Sequence, residues 1–206
     1  MSGLSALNTT DYGTEPCKLV LRPLLRLDEE QFYQLTLQNP EQPLEQNAQG
    51  EVIIVSPTGG SSGHRNGDIL YQLIAWNKQH GRGVVFDSST IFRLPLGAAR
   101  SPDASWVELS RWTALTQDQR DRFPPFCPDF VIELRSNTDR LADLQAKLVE
   151  YMNNGARLGW IVDPLLKQVH LYEPGNTPRV LDEPAFVEGT DCMTGFVLEL
   201  KDVFAA

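Results

Sequence analysis

Cysteine is scarce in this chain. Cys17, Cys127 and Cys192 are odd in number and far apart. That spacing excludes a disulfide framework and a zinc pattern, and it fits a reducing cytoplasm. Long apolar runs are also missing. No stretch is long enough to span a bilayer, and the N-terminus lacks the apolar core of a signal peptide, so no membrane association is expected. Basic charge is the third shortage. Eighteen Lys and Arg stand against 27 Asp and Glu, a net charge of −9. Such a balance counts against a protein that grips nucleic-acid backbone over a broad surface. The chain has no internal repeat and no low-complexity segment.

The acidic excess is uneven. Residues 51–160 hold 12 acidic and 12 basic side chains, so the surplus lies in the flanks. A neutral middle with acidic site residues is compatible with a local basic rim. What is present is ordinary for a soluble globular protein: 206 residues, 41% hydrophobic and 22% charged. At that length folding buries roughly 70% of the unfolded chain's surface, so no staple is needed. Residues 1–25 are expected to form a flexible N-terminal tail and residues 26–206 a single domain.

Asp28 reads as a helix N-cap with Gln31 at the capping-box position, and the helix must stop by Asn39-Pro40. Residues 43–46 and 51–55 read as a β-hairpin across a polar turn ending in Gly50. Residues 57–63 read as a loop, which lacks the ending of a P-loop. A helix is expected from His64 to His80, stopped by Gly81. Strands are expected at 84–86, 91–94 and 104–107 in succession. Ser110 and Thr116 are expected to cap short helical turns, and the proline-rich 123–128 to be a rigid connector. A strand over 129–135, a helix lined by Leu141, Leu144, Leu148 and Tyr151, and a buried strand over 158–162 follow. This unit predicts a right-handed crossover between parallel strands. Residues 168–172 read as a further strand, at the edge. The fold class is α/β (α+β), a mixed sheet with helices on its faces.

Chemistry concentrates between Ser101 and Lys147. Alternation puts Glu133 and Arg135 on one face of their strand and Phe130, Ile132 and Leu134 on the other. Holding Glu133 near a core costs solvation free energy. A bound cation offsets that cost, and so does a pair with Arg135. Asp103 opens the strand at 103–107. If that strand pairs with 129–135, the two carboxylates converge, and with the Leu134 carbonyl they supply oxygen ligands for Mg²⁺. At about 100° per residue, Lys147 sits about 60° from Leu144, on the border of its helix's apolar face. From there its ammonium reaches the strand ends, to orient or deprotonate an attacking water or to stabilise a phosphoryl transition state. The plainer alternative is an i,i+4 ion pair of Asp143 and Lys147 on a solvated face.

These residues resemble the PD-(D/E)XK nuclease superfamily, with Ser101-Pro102-Asp103 as the first acidic motif and Glu133-Leu134-Arg135 as the second. More narrowly, the chain is similar to the Uma-two family of restriction-endonuclease-like proteins. The similarity rests on Pro57-Thr58-Gly59-Gly60 leading to His64, on residues 101–107 and 128–136, on Lys147 through Tyr151 to Gly155, and on Gly159 to Pro164. It covers roughly residues 27–175. It implies a core sheet flanked by helices and metal-dependent cleavage of phosphodiester bonds, with Asp103 and Glu133 as metal ligands. Arg135 stands where the superfamily has its lysine. The resemblance moves that lysine to the following helix, at Lys147, and leaves Arg135 to assist with phosphate. A further glutamate is implied from the region of the first hairpin; Glu45 is preferred over Glu51.

Two functions from different classes are therefore expected. One is a Mg²⁺-dependent endonuclease acting on DNA, with Mn²⁺ as a substitute metal and a homodimer by analogy. The other is a non-catalytic module of the same fold that acts through a protein partner. His64 and Ser136 are weaker substrate-binding candidates; His64 as a surface or capping residue and Ser136, Asn137 and Thr138 as helix caps are the plainer readings. Asp87 is expected in a turn, His80 and His170 in structural roles, and Trp106, Trp112 and Trp160 in the core.

Overall fold

Strict alternation along the central strands builds one core on each face of a sheet, and a third cluster joins Phe32 to Leu44, Val52 and Ala99. The structure is a computed structural model that describes residues 18–19 and 27–205. Strand β1 (Lys18–Leu19) falls within the expected tail; the rest of residues 1–25 lies outside the described residues. Helix α1 (Glu29–Gln38) starts at Asp28, whose carboxylate accepts the Gln31 amide while the Gln31 side chain accepts the Asp28 amide. Strands β2 (Leu44–Gln46) and β3 (Val52–Ile54) form the expected antiparallel hairpin. Helix α2 (Gly60–His80) begins four residues before His64, so half of the expected loop is helix. Its Gly-Ser first turn has poor intrinsic propensity. Buried Ile69, Leu73 and Trp76 tie the helix to the sheet and let the turn extend backward. Gly81 ends it in the left-handed region.

Strands β4 (Gly83–Asp87), β5 (Phe92–Arg93), β6 (Ala99–Arg100) and β7 (Ala104–Glu108) come next. The three strands expected in succession are split between two sheets. β4 pairs directly with β7, while β5 turns back on β6 and joins the first hairpin. Helix α3 (Leu109–Thr113) has Glu108 at its N-cap, so Ser110 lies inside it and does not cap it. Thr116 does cap α4 (Gln117–Asp121), reciprocally with Gln119. Strand β8 (Phe130–Leu134), helix α5 (Leu141–Asn153) and strand β9 (Leu158–Asp163) form the expected parallel crossover. Asp139 closes the turn before α5 by accepting the Ser136 amide and hydroxyl. Ser136, Asn137 and Thr138 therefore do not cap α5, whose N-cap position is Arg140. Strand β10 (Gln168–Tyr172) is interior, not an edge, because β11 (Arg179–Asp182) pairs outside it. A ribbon of β12 (Phe186–Glu188) and β13 (Val197–Glu199) and the short helix α6 (Lys201–Ala205) complete the order.

The main sheet runs β11-β10-β9-β8-β7-β4, and a smaller one runs β1-β3-β2-β6-β5. On one face Phe130, Ile132, Trp160 and Val162 pack against α2, the ribbon and α6. On the other, Val131 and Ile161 meet Leu148 and Tyr151 of α5 and Phe92 of the small sheet. Gly159 lets α5 settle close: a Cβ there would lie 2.5 Å from Leu148 Cδ1. Glu133 belongs to this second face, between the sheet, α5 and β2. Among the described residues no helix is long and apolar enough to cross a membrane.

Candidate active site

Register brings the two motif carboxylates to one end of the sheet. β7 and β8 are antiparallel with Ala104 opposite Ile132, so Asp103 meets the exit of β8. Its Oδ2 accepts the Leu134 amide at 2.7 Å. Leu134 thus enters the site through its N–H, which orients Asp103. Glu133, one residue earlier, points to the α5 face and is 3% exposed. Its Oε1 accepts the Tyr151 hydroxyl at 3.0 Å.

Lys147 arrives from α5, on the border of the apolar face as its helical angle requires. Its Nζ lies 2.9 Å from Glu133 Oε1 and 2.9 Å from Glu45 Oε1. It also donates to the Ser101 carbonyl at 3.4 Å. The ammonium is therefore held inside the site by two glutamates; Asp143, its alternative partner, is exposed. Glu45 comes from β2 and is buried. Its Oε1 also accepts the Ser101 amide at 2.9 Å, and its Oε2 meets Arg100 Nη1 at 3.0 Å. Arg100 continues the chain of charges to Glu150, Nε to Oε2, at 2.5 Å. Glu51 remains in its hairpin turn, bonded to Asn47.

Four carboxylates (Glu45, Asp103, Glu133 and Glu150) thus face two cations, Arg100 and Lys147. The surplus of negative charge shows in the proton equilibria. Burial pushes Glu133 up to about 8, against Lys147. Burial pushes Asp103 up to about 6, against the Leu134 amide and Lys147. Burial also opposes a charge on Glu45, but Lys147, Arg100 and the Ser101 amide outweigh it and hold Glu45 below the usual carboxylate range. The neighbouring carboxylates outweigh the burial of Lys147 and Arg100 and raise both, so both stay protonated. Tyr151 is raised well above its ordinary value by burial and keeps its proton, so it acts as a donor.

Other candidates stand apart. Arg135 donates to Asp163 Oδ2 at 2.7 Å and to the Asp139 carbonyl at 3.3 Å. His64 is exposed on α2, and Asp87 folds back on Ser89 in a turn. His80 stacks on Trp76, and His170 is buried in β10. Trp106 and Trp160 are core, with Trp112 packed against it. Sequence reasoning missed Arg100, Glu150 and Tyr151. Arg100 directly precedes the Ser101-Pro102-Asp103 motif, and Glu150 and Tyr151 lie three and four residues beyond Lys147, spacings that share a helix face.

The donor set suits a hard divalent cation. Asp103 and Glu133 offer carboxylate oxygens, Asp103 stays partly open to solvent, and a cation would relieve the surplus charge. Among the described residues no three His, Cys, Asp or Glu side chains form a ready-made cage.

The chain resembles a solved structure described as "a putative nuclease belonging to DUF820 from Anabaena variabilis ATCC 29413". The two share 20% identity over 80% of this chain and 90% of that one, with a TM-score of 0.68, a likeness of fold. No curated protein matches. The model of the Uma2 family, described as "Putative restriction endonuclease", matches residues 29–201. That span takes in the main sheet, the smaller sheet apart from β1, and the whole charged cluster, and the protein belongs to the Uma2 family.

Proposed function

We propose that this protein is a Mg²⁺-dependent endonuclease that hydrolyses phosphodiester bonds in DNA. The observation that carries the reading is the convergence of Asp103, Glu133 and Lys147 at one end of β7 and β8. The matched family, one of restriction endonucleases, and the solved nuclease of like fold support the same class of reaction. Asp103 and Glu133 would hold the cation, with the Leu134 carbonyl as a further oxygen. When bound, the cation would polarise a phosphoryl oxygen and acidify a water.

The side chains divide the remaining work by charge. Lys147 is too firmly protonated to serve as the resting base. It stabilises the negative charge that builds on the phosphoryl group and orients the water. The Leu134 amide and the Tyr151 hydroxyl hold the two metal-binding carboxylates in place. Arg135 would assist with phosphate from the exit of β8, where it keeps its contact with Asp163.

The test is calorimetric binding of Mn²⁺ and Mg²⁺ to the wild type, Asp103→Asn and Glu133→Gln, with cleavage of plasmid and single-stranded DNA followed on the same preparations. Binding and cleavage are expected in the wild type, with both lost in the two variants. A second reading, a non-catalytic module acting through a protein partner, draws on the burial of Glu133 and Glu45 and on their pairing with Lys147. Absence of metal binding in the wild type, with unchanged stability in both variants, would decide for that second reading.

A further inference from the structure

Glu45 is the acid that the family resemblance would add to the metal site. Its surroundings argue for a different role. Both of its oxygens are already committed. Oε1 takes the Lys147 ammonium and the Ser101 amide, each at 2.9 Å, and Oε2 takes Arg100 at 3.0 Å. The Arg100 guanidinium is pinned from its far side by Glu150. Glu45 therefore sits among three donors from three elements: β6, the segment entering β7, and α5. It could ligate a cation only by abandoning a buried charge, which is strongly unfavourable.

Asp103 and Glu133 differ from it. Asp103 uses one oxygen, on the Leu134 amide. Glu133 is bonded to the Tyr151 hydroxyl and to Lys147, and Lys147 is a flexible cation with a second partner waiting. The ammonium bridges Glu45 and Glu133. A cation arriving at Glu133 would repel it, and Glu45 is the place already built to receive it.

We propose that Glu45 is a positioning residue, not a third metal ligand: held by Arg100 and Ser101, it is the seat that retains Lys147 in the site when Glu133 turns to the metal. The inference rests on the metal-dependent reading above and names the internal arrangement that makes it work. It assigns Arg100 and Glu150 a purpose as well. They fix the seat, so that Lys147 keeps its contact with Glu45 rather than swinging to solvent.

A double-mutant cycle separates a seat from a ligand. Mn²⁺ binding is measured by calorimetry on the wild type, Glu45→Gln, Lys147→Met and the double variant, whose side chains keep the native volumes. Melting curves accompany each titration. With Lys147 present, Glu45→Gln is expected to weaken Mn²⁺ binding about tenfold, because the lysine then competes for Glu133. In the Lys147→Met background the same substitution is expected to change affinity by no more than about twofold. An equal loss in both backgrounds would make Glu45 a ligand and overturn the proposal.

If none of the four proteins binds Mn²⁺, the metal-dependent reading falls. The seat is then judged alone, by urea unfolding of the same four proteins. The two substitutions should be non-additive by a factor of ten or more in the unfolding constant. Additive effects would remove the seat as well.

Discussion

The phenol of Tyr151 donates its proton to Glu133 Oε1 across 3.0 Å, from a ring with no solvent exposure. This single bond joins α5 to β8 one turn beyond Lys147. Tyr151→Phe keeps the packed ring and removes the donor. The expected loss is about 1 kcal/mol of stability, read by urea unfolding. Metal affinity should fall with it, because Glu133 is left with Lys147 alone to favour its charged form. An unchanged affinity would show that the hydroxyl has no part in presenting Glu133.

The raised carboxylates predict a pH dependence of stability in metal-free protein. Asp103 and Glu133 bind protons more tightly folded, to about 6 and about 8, than their ordinary values of 3.8 and 4.5. The folded state then holds more protons between those limits, and stability contributed by these two groups falls as pH rises through 6 and 8. Glu45 has the opposite sign: it is held low, and its contribution is lost as pH falls below the ordinary range. Unfolding of wild type and Glu133→Gln across pH 5 to 9 checks this, since the glutamine variant should lose the alkaline part of the decline.

The same protons must leave when a divalent cation binds, because only the ionised carboxylates are good ligands. Mn²⁺ affinity is expected to strengthen with pH up to about 8. Near neutral pH, binding should release protons. Calorimetry in two buffers of different ionisation enthalpy measures that release, and equal apparent enthalpies would contradict it.

Packing predicts a mutation with no contact to the charged cluster. Gly159→Ala would place a methyl 2.5 Å from Leu148 Cδ1 and 2.9 Å from Met152 Cε. Helix α5 must shift or its side chains must leave their rotamers, at about 1–3 kcal/mol. Because Lys147 and Tyr151 both reach Glu133 from that helix, Mn²⁺ affinity and cleavage should fall together. Unchanged values of both would mean that the helix does not move.

Asp163 offers a contrasting case. It is fully buried, pairs with Arg135, and accepts the amides of Leu165 and Leu166 in the turn after β9. Asp163→Ala leaves Arg135 without its partner and opens the turn. A loss of about 3–5 kcal/mol is expected in thermal or chemical unfolding.

The legible part of the site was the part carried by long, strongly patterned elements. β7, β8, α5 and β9 each announce themselves by periodicity, and the helical angle of Lys147 follows from three leucines and a tyrosine. The first hairpin and β5 were legible as strands, but their union in one sheet was not. β6 joins them and is too short to show alternation, so neither it nor Arg100 within it had a pattern to reveal it. Tyr151 looked like one more apolar residue of its helix, because a buried hydroxyl is invisible until its partner is known. The early start of α2 was hidden by glycine and serine, whose local preference lost to the packing of the helix further on. Arg135 was placed on the correct face of β8, but its choice of Asp163 depends on the parallel pairing of β9, which sets the two side by side.

The ion pairs of the cluster join distant stretches of chain: Arg100 and Glu45 are 55 positions apart, and Arg100 and Glu150 are 50. None of these contacts can be rewarded until the small sheet, the main sheet and α5 have all closed, so loop-closure entropy delays them. These contacts are therefore expected to form late in folding, after the transition state. Substitutions at Glu45, Arg100 or Glu150 are then expected to hasten unfolding while leaving the refolding rate nearly untouched, which stopped-flow kinetics in urea would check. The residues that make the site also set how long the folded molecule lasts.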